Sequence, residues 1–458
     1  MKTYISKKND ITPESPGSVR AAAIKILSRF ERSDAYLEKL LDGELNSGGF
    51  NVRDKSLLTE IVNGVVRWRW KLDWVLTGFY FGDYLKCLNI VKNSMRVALY
   101  QILYLDRVPV HAAINESVEY IKKIQGEKTA GLVNAVLRNI VRNSDKIRYP
   151  KKGEDPVYYY AVMYSHPRWM VKRWLSKFGE EVTVALLEAN NKRPYVAIRV
   201  NKLRSDINVV CNYLRESEIK YEISKYCDSS VAITAAGNNP ASFDMFKNGQ
   251  ITIQDTAATL VSILAAPKPG QSVADLCAAP GGKTFAMADN MNNEGSISAI
   301  DKYSAKLRFI TDGAERLGLD CVRTMSGNAA TIKFKEPFDL VLCDVPCSGT
   351  GTISKKPDIK WKREYEDIKQ MNKIQKEIIE NASKMLKVGG VLVYSTCSIE
   401  SEENADIVNA FLKDNPNYKI DPAENYLDGE ICSDGFLQAF PHIHGTDGAF
   451  GARLIRIK

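Results

Sequence analysis

Apolar positions recur at helical spacing through the first third of the chain. Ile24, Leu27 and Phe30 form one stripe, and Leu58, Ile61, Val62 and Val65 a second. Met95, Leu99, Ile102 and Leu103 form a third, and Val133, Val136, Leu137 and Ile140 a fourth. The stripes predict core-facing helices and an all-α helical bundle over residues 1–150. Residues 146–156 are charged and contain Pro and Gly, the composition of a linker. After it HPRWMVKRWLSKFG reads as a basic helix. YVAIRVN and SVAITA read as strands with a helix near 206–216 between them, a small α/β module over 160–250.

From about 251 to 458 the pattern changes to apolar strands alternating with helices. SVADLCAA, SISAID, CVRTMSG, DLVLCDVP and VLVYSTCS read as strands, and FLQAFPHI and FGARLIRIK close the chain as two more. Helices are predicted at GGKT, at SAKLRFITDGAERLG and at about 366–386. This predicts an α/β, Rossmann-like domain with a mostly parallel seven-stranded sheet, whose ligands bind beyond the carboxyl ends of the strands.

Composition narrows the class. A hydrophobic content of 45% in 458 residues supports several real cores. No run of 18 apolar residues exists, and the first twenty residues are polar, so neither a membrane span nor an export signal is expected. The nine cysteines include no CxxC pair, which argues against a zinc site or a disulfide framework and for a reducing cytoplasm. No metal is expected, and nothing demands more than a monomer. The net charge of +8 lies entirely in the first third: residues 1–155 hold 26 basic and 18 acidic residues, and the rest hold 37 of each. That suits a domain that meets a polyanion, although an ordinary surface imbalance would look the same. VVRWRWK places Arg67, Arg69 and Lys71 around two tryptophans, a pattern that can hold RNA by phosphate contact and base stacking. An amphipathic helix with Trp inward and Arg in water would read identically.

The candidate chemistry sits at predicted strand ends. In DLCAAPGGKT a strand turns through Cys277, Ala278, Ala279, Pro280, Gly281 and Gly282 to Lys283, where a helix starts. A Walker loop needs Gly six positions before Lys283, and Cys277 stands there; G-x-G-x-x-G is absent as well. What remains is a turn passing close to a small ligand without a pyrophosphate cradle, which suits the methionine part of S-adenosylmethionine. Asp301 ends the second strand, where an acid can accept from both ribose hydroxyls or simply cap a helix. Asn328 follows the third, where an adenine edge would lie, or is only a turn residue.

DVPCSGTGT and STCS follow two further strands, so Asp344, Cys347 and Cys397 should meet in one crevice. Such a set suits methylation of an unreactive aromatic carbon. A thiolate adding to cytosine C6 turns C5 into a nucleophile. Lys283 would favour the thiolate and Asp344 would hold N3 of the ring. Placement alone nominates both cysteines equally.

DLCAAPGGKT, DVPCSGTGT with KKPDIKW, and YSTCS resemble the motifs of the RNA cytosine-C5 methyltransferases. RDKSLLTEIVNGVVRWRWKLDWVL, YQILYLDRVPVHAAINESVEYIKK and GLVNAVLRNIVR resemble the NusB-like domain of that family's bacterial RsmB (Sun, Fmu) branch. The resemblance covers nearly the whole chain. It implies methylation of one cytosine of 16S ribosomal RNA, with that RNA as partner and S-adenosylmethionine as cofactor. It also implies an RRM-like RNA-binding role for the small module, Cys397 as nucleophile and Cys347 as the residue that assists release. Cys277 to Lys283, Asp301, Asn328 and Asp344 would surround the cofactor and the target ring. Two positions depart from the family: Asn328 stands where Asp is usual, and Asp447-Gly448-Ala449-Phe450 replaces a DGFF-like signature. Transfer RNA as substrate, and a non-catalytic assembly factor on the same fold, are the competing readings. The NusB-like half argues against the first, and the intact Cys347, Cys397, Asp344 and Lys283 against the second.

Overall fold

A computed structural model describes residues 18–47, 49–234 and 239–458. Residues 1–172 and 173–458 form two compact units. The small module and the large sheet share the second of them. The last residue of the SVAITA stretch, Ala235, lies outside the described residues.

The described part of the first unit is helical, as its apolar stripes predict. Its main helices are Val19–Phe30, Val52–Arg67, Arg69–Phe79, Asn89–Tyr104 and Val110–Arg142, the last bent at Gly126. Ser18 and Asn51 accept backbone N–H groups at the starts of the first two. Ile24, Leu58, Ile61, Met95, Leu99, Val133, Val136 and Leu137 are fully buried. Leu103 is not: it is 38% exposed. It lies at the edge of its stripe, one residue from the end of its helix, where packing runs out. A polar network also lies inside this unit. Buried Arg96 pairs with Asp73 at 2.6 Å and with Glu31 at 2.7 Å, and the Tyr84 hydroxyl donates to Asp73 at 2.7 Å.

In the second unit, β1 (Val196–Val200), β2 (Tyr221–Ile223), β3 (Ser230–Ile233) and β4 (Ile251–Ile253) form an antiparallel sheet in the order β2-β3-β1-β4. The helix Ile207–Glu216, capped by Asp206, packs Val210 and Leu214 into its core. β4 therefore belongs to the small sheet, although it lies just past residue 250.

The large sheet contains β5 (Ser272–Asp275), β6 (Ser296–Asp301), β7 (Val322–Ser326), β8 (Phe338–Asp344), β9 (Leu386–Thr396), β10 (Tyr418–Ile420), β11 (Cys432–Ser433), β12 (Phe436–Ala439) and β13 (Ala449–Arg456). The order is β11-β12-β13-β9-β8-β5-β6-β7, with β10 beside β13. β7, β6, β5, β8 and β9 are mutually parallel and the others antiparallel. The seven expected strands are all present. The sheet has nine among the described residues, because β10 and β11, of three and two residues, are too short to leave a pattern. Alternate residues face opposite sides: Val273, Leu340 and Leu342 join one core, and Ala274, Val341 and Cys343 the other. Helices cover both faces, which is why these strands read as continuous apolar runs. The chain runs from β5 outward to β7, then returns to β8 on the other side of β5. The carboxyl ends of β5 and β8 therefore flank the switch point, where such sheets bind ligands.

Candidate active site

Three acids stand at the carboxyl ends of adjacent strands: Asp301 on β6, Asp275 on β5 and Asp344 on β8. After Asp275 the turn is held by backbone bonds from Leu276 N to the Leu342 carbonyl, 2.9 Å, and from Ala278 N to the Ile300 carbonyl, 2.8 Å. The turn thus lies across the ends of β8 and β6. Gly281 has φ +113°, and a Cβ there would come within 2.4 Å of the Phe285 ring, so only glycine lets the next helix start so tightly. The helix Gly282–Asn290 follows. Asp275 is buried and accepts from the Thr284 hydroxyl at 2.7 Å. Burial pushes its carboxyl up to about 7, with the Thr284 bond opposing. Burial, with Asp275 nearby, also pushes the Cys277 thiol far up, so this cysteine is packing and not a thiolate.

Asp301 is buried and holds the turn in place. It accepts from Ala279 N at 3.3 Å and from Tyr303 N at 2.9 Å. Asn328 is exposed, and its side-chain oxygen accepts from Ala330 N at 3.1 Å. Gly327 N donates to the Asp301 carbonyl at 3.1 Å, so Asn328 follows directly on a contact with the β6 end.

β8 and β9 pair in parallel, with Asp344 opposite Ser395. This register brings the two cysteine loops side by side: Cys347 Sγ and Cys397 Sγ lie 3.4 Å apart. Asp344 takes a 2.6 Å ion pair from Lys283 on one oxygen and a 2.8 Å hydrogen bond from Ser395 on the other. Burial opposes the Lys283 charge, but Asp344 more than offsets it and holds the ammonium above its ordinary value. The hydrogen bond from Cys347 depresses Cys397, helped by Lys283 and Lys356 and opposed by desolvation and Asp344. The same bond, with burial and Glu403, holds Cys347 well above the usual thiol range. Cys397 is exposed and Cys347 half-buried. The pair is therefore unequal: Cys397 is the more exposed and the more acidic of the two thiols, and Cys347 the less acidic.

The loop around Gly448 closes this side. Gly351 N donates to the Cys397 carbonyl at 3.0 Å, and Gly448 N donates to the Gly351 carbonyl at 2.8 Å. A Cβ on Gly351 would lie 2.6 Å from the Gly448 carbonyl oxygen, so both loops need glycine where they touch. Lys355 then pairs with Asp255 and, at 2.9 Å, with Asp447. Ala449, where an aromatic residue was expected, lines a cleft with Ser398, Ile399, Phe178 and Phe440. Phe450 is buried against Phe436.

In the first unit, the residues expected to meet RNA are engaged with the protein. Arg67 is buried, Arg69 pairs with Glu31 at 3.0 Å, and Lys71 lies 5.4 Å over the rings of Trp68 and Tyr149. Trp68 stacks on Tyr104 at 4.8 Å. A phosphate contact by Arg69 would have to break its pair with Glu31, and one by Arg67 would have to bring a buried side chain to the surface.

Over 448 residues the chain is 36% identical to the Bacillus subtilis protein named Probable ribosomal RNA small subunit methyltransferase B, covering 94% of this chain and 97% of that one. The chain belongs to the RsmB/F family. The model of the 16S rRNA methyltransferase RsmB/F family matches residues 262–455, that of the NusB family residues 18–142, and that of the RsmF/B-like ferredoxin-like domain residues 166–239. Ribosomal RNA small subunit methyltransferase B of Escherichia coli is 33% identical over 88% of this chain and 91% of its own. Among solved structures, PH0851 superposes with a TM-score of 0.79 at 27% identity, over 98% of this chain and 100% of that one. NSun6 of Pyrococcus horikoshii, solved with SFG, shares the fold at a TM-score of 0.57 and 21% identity, over 63% and 97%. Among the described residues no helix is long and apolar enough to cross a membrane.

Inspection of the RsmB/F site adds residues that sequence reasoning passed over. Glu400 and Glu403 belong to the run IESEEN, which reads as a solvated acidic turn, yet both are fully buried. Glu400 accepts from Arg173 at 2.6 Å and from Trp174 Nε1 at 3.0 Å, so these two residues hold the turn after Cys397. Gln375 left no local signal, and Ser348 and Ser398 stood in the two cysteine motifs without a role of their own.

Proposed function

We propose that this chain methylates C5 of a specific cytosine in 16S ribosomal RNA, with Cys397 as the nucleophile. The observation that carries this is the unequal thiol pair beside the Lys283–Asp344 ion pair, at the switch point of the sheet. The Cys397 thiolate adds to C6 of the ring while Asp344, in protonated form, shares its proton with N3, so that the addition product is an enamine with electron density at C5. C5 then takes the methyl group. Loss of the C5 proton and rupture of the C6–S bond return the Cys397 thiolate and free the base. Cys347, which keeps its proton at Sγ, assists that release. A base paired in RNA must leave its stack to reach these groups.

S-adenosylmethionine supplies the methyl group. The residues fit it: the Asp301 carboxylate, at the carboxyl end of β6 beside the Ala279 turn, can accept from ribose hydroxyls. Cys277 to Lys283, Asp301, Asn328 and Asp344 would line its site. Asn328 accepts from an adenine amino group without adding charge. The rRNA substrate is inferred from the named relatives, and the NusB-like unit with its positive excess supplies a surface for RNA.

The test is covalent capture. Cys397→Ala is expected to abolish both methylation and adduct formation with RNA carrying 5-fluorocytosine, while Cys347→Ala traps enzyme on unmodified RNA. The reverse pattern would overturn the assignment. Bisulfite mapping of ribosomal RNA from cells lacking the protein identifies the base.

A further inference from the structure

Two identical side chains 3.4 Å apart need an asymmetry before one of them can attack and the other abstain. Lys283 and Lys356 bias Cys397, but something must also act on Cys347. Glu403 is placed to do so. It is fully buried six residues after Cys397. Its Oε1 accepts from Ser348 N at 2.8 Å and from Gln375 Nε2 at 3.1 Å, and its Oε2 accepts from the Ser348 hydroxyl. Gln375 also donates to the Pro346 carbonyl at 3.0 Å. The Pro346–Cys347–Ser348 turn is thus tied down on both sides of the thiol. On the other loop, the Tyr394 hydroxyl on β9 donates to the Glu403 carbonyl at 2.6 Å. Among the described residues no salt bridge neutralises Glu403. A buried unpaired carboxylate costs several kcal/mol before its hydrogen bonds offset it. Glu403 accepts on both carboxyl oxygens, and a neutral amide would offer only one acceptor oxygen to these three donors.

We propose that Glu403 is a positioning residue of the reaction: it fixes the turn that presents the Cys347 thiol to the Cys397 sulfur as a proton donor, leaving Cys397 as the attacking group. The inference rests on the cysteine-addition reading above. A negative carboxylate beside Cys347 disfavours a second negative charge there. The other groups facing the pair are Lys283, Lys356, Asp344, which is itself paired with Lys283, and Tyr394, which burial keeps neutral.

The test is site-resolved alkylation of the full-length protein by iodoacetamide, without RNA, read by peptide mass spectrometry across pH. Wild type reacts first at Cys397. Glu403→Gln keeps the side-chain size and removes the charge. It is expected to reduce the Cys397-over-Cys347 preference by about tenfold, the effect of a one-unit change in relative acidity. The kcat for RNA methylation falls roughly tenfold to a hundredfold with KM little changed, and Glu403→Asp restores part of it. A folded Glu403→Gln protein with unchanged preference overturns the proposal, and so does equal loss of kcat in Gln and Asp variants with the preference intact. If Glu403→Gln fails to fold, Ser348→Ala decides. It removes one bond to the carboxylate and leaves the charge, and a smaller fall in preference supports the proposal while none overturns it. Alkylation requires neither RNA nor methyl transfer. Failure here therefore leaves the cytosine-C5 reading intact, whereas an active Cys397→Ala variant would sink that reading and, with it, the role of Glu403 in the reaction, whatever the alkylation shows.

Discussion

Arg67-Trp68-Arg69-Trp70-Lys71 and the pair Cys347 and Cys397 look equally chemical along the chain, and the fold treats them in opposite ways. The basic-aromatic stretch is contiguous and carries every residue type that RNA contact requires. In the first unit its Arg67 is buried, its Arg69 faces Glu31 and its Lys71 covers aromatic rings. The cysteines are fifty residues apart and lie in contact. The difference is geometric. A helix offers every face to whatever packs against it, so a local motif can be absorbed into a core. A parallel strand ends at a defined edge of its sheet, and residues just beyond that edge enter the crevice.

The largest expected effect tests the thiol half of this contrast. Cys397→Ala lowers methyl transfer by roughly 10⁴-fold or more, measured in single-turnover assays with tritiated donor. Residual turnover near wild type would show that two adjacent thiols were only packing. Next comes the polar interior of the first unit. Arg96→Met leaves the half-buried Asp73 without its cation and Glu31 with Arg69 alone, and is expected to cost about 3–5 kcal/mol of unfolding free energy in urea titrations. A loss below 1 kcal/mol, on the order of an exposed pair, would place the network at the surface and reopen the RNA role of its neighbours.

A smaller effect concerns Asp275, whose carboxyl is held up to about 7 by burial. The folded state then binds a proton that the unfolded state releases at its ordinary 3.8. Stability from this group is full below that lower value and is lost as pH rises through about 7. Asp275→Asn removes the loss, so its Tm relative to wild type should climb between these two pH values; a constant difference would contradict the burial. The smallest effect separates the two roles of Arg69. Arg69→Gln, at a partly exposed ion pair, should cost about 1 kcal/mol or less and leave the salt dependence of RNA binding unchanged. A salt slope shallower by about one unit would return Arg69 to the RNA interface.

Much of the second unit was legible because its strands are covered on both faces. Strands such as β6 and β8 are apolar runs that end in acids, and pattern alone located them. Cys347, Cys397, Asp344 and Lys283 were legible because each follows a strand or opens a helix. Glu403 was not legible: an acidic run reads as solvent-facing, and only three donors from two other segments make its burial tolerable. Leu103 was misread for a related reason, since a stripe on a helix does not reveal where its packing partner ends.

Taken alone, the sequence determined the longer strands and helices, that two cysteines belong to one crevice, and which family's motifs the chain resembles. These follow from periodicity and from residue types at strand ends, which are local properties. Only the tertiary structure decided that Arg67 is buried and Arg69 pairs with Glu31, that β4 belongs to the small sheet, and that the two thiols differ in acidity. Each of these depends on groups remote in the chain: Glu31 in the first case, β1 in the second, and Lys283, Lys356 and Glu403 in the third. Electrostatics and pairing act through space, and no window of sequence contains both partners.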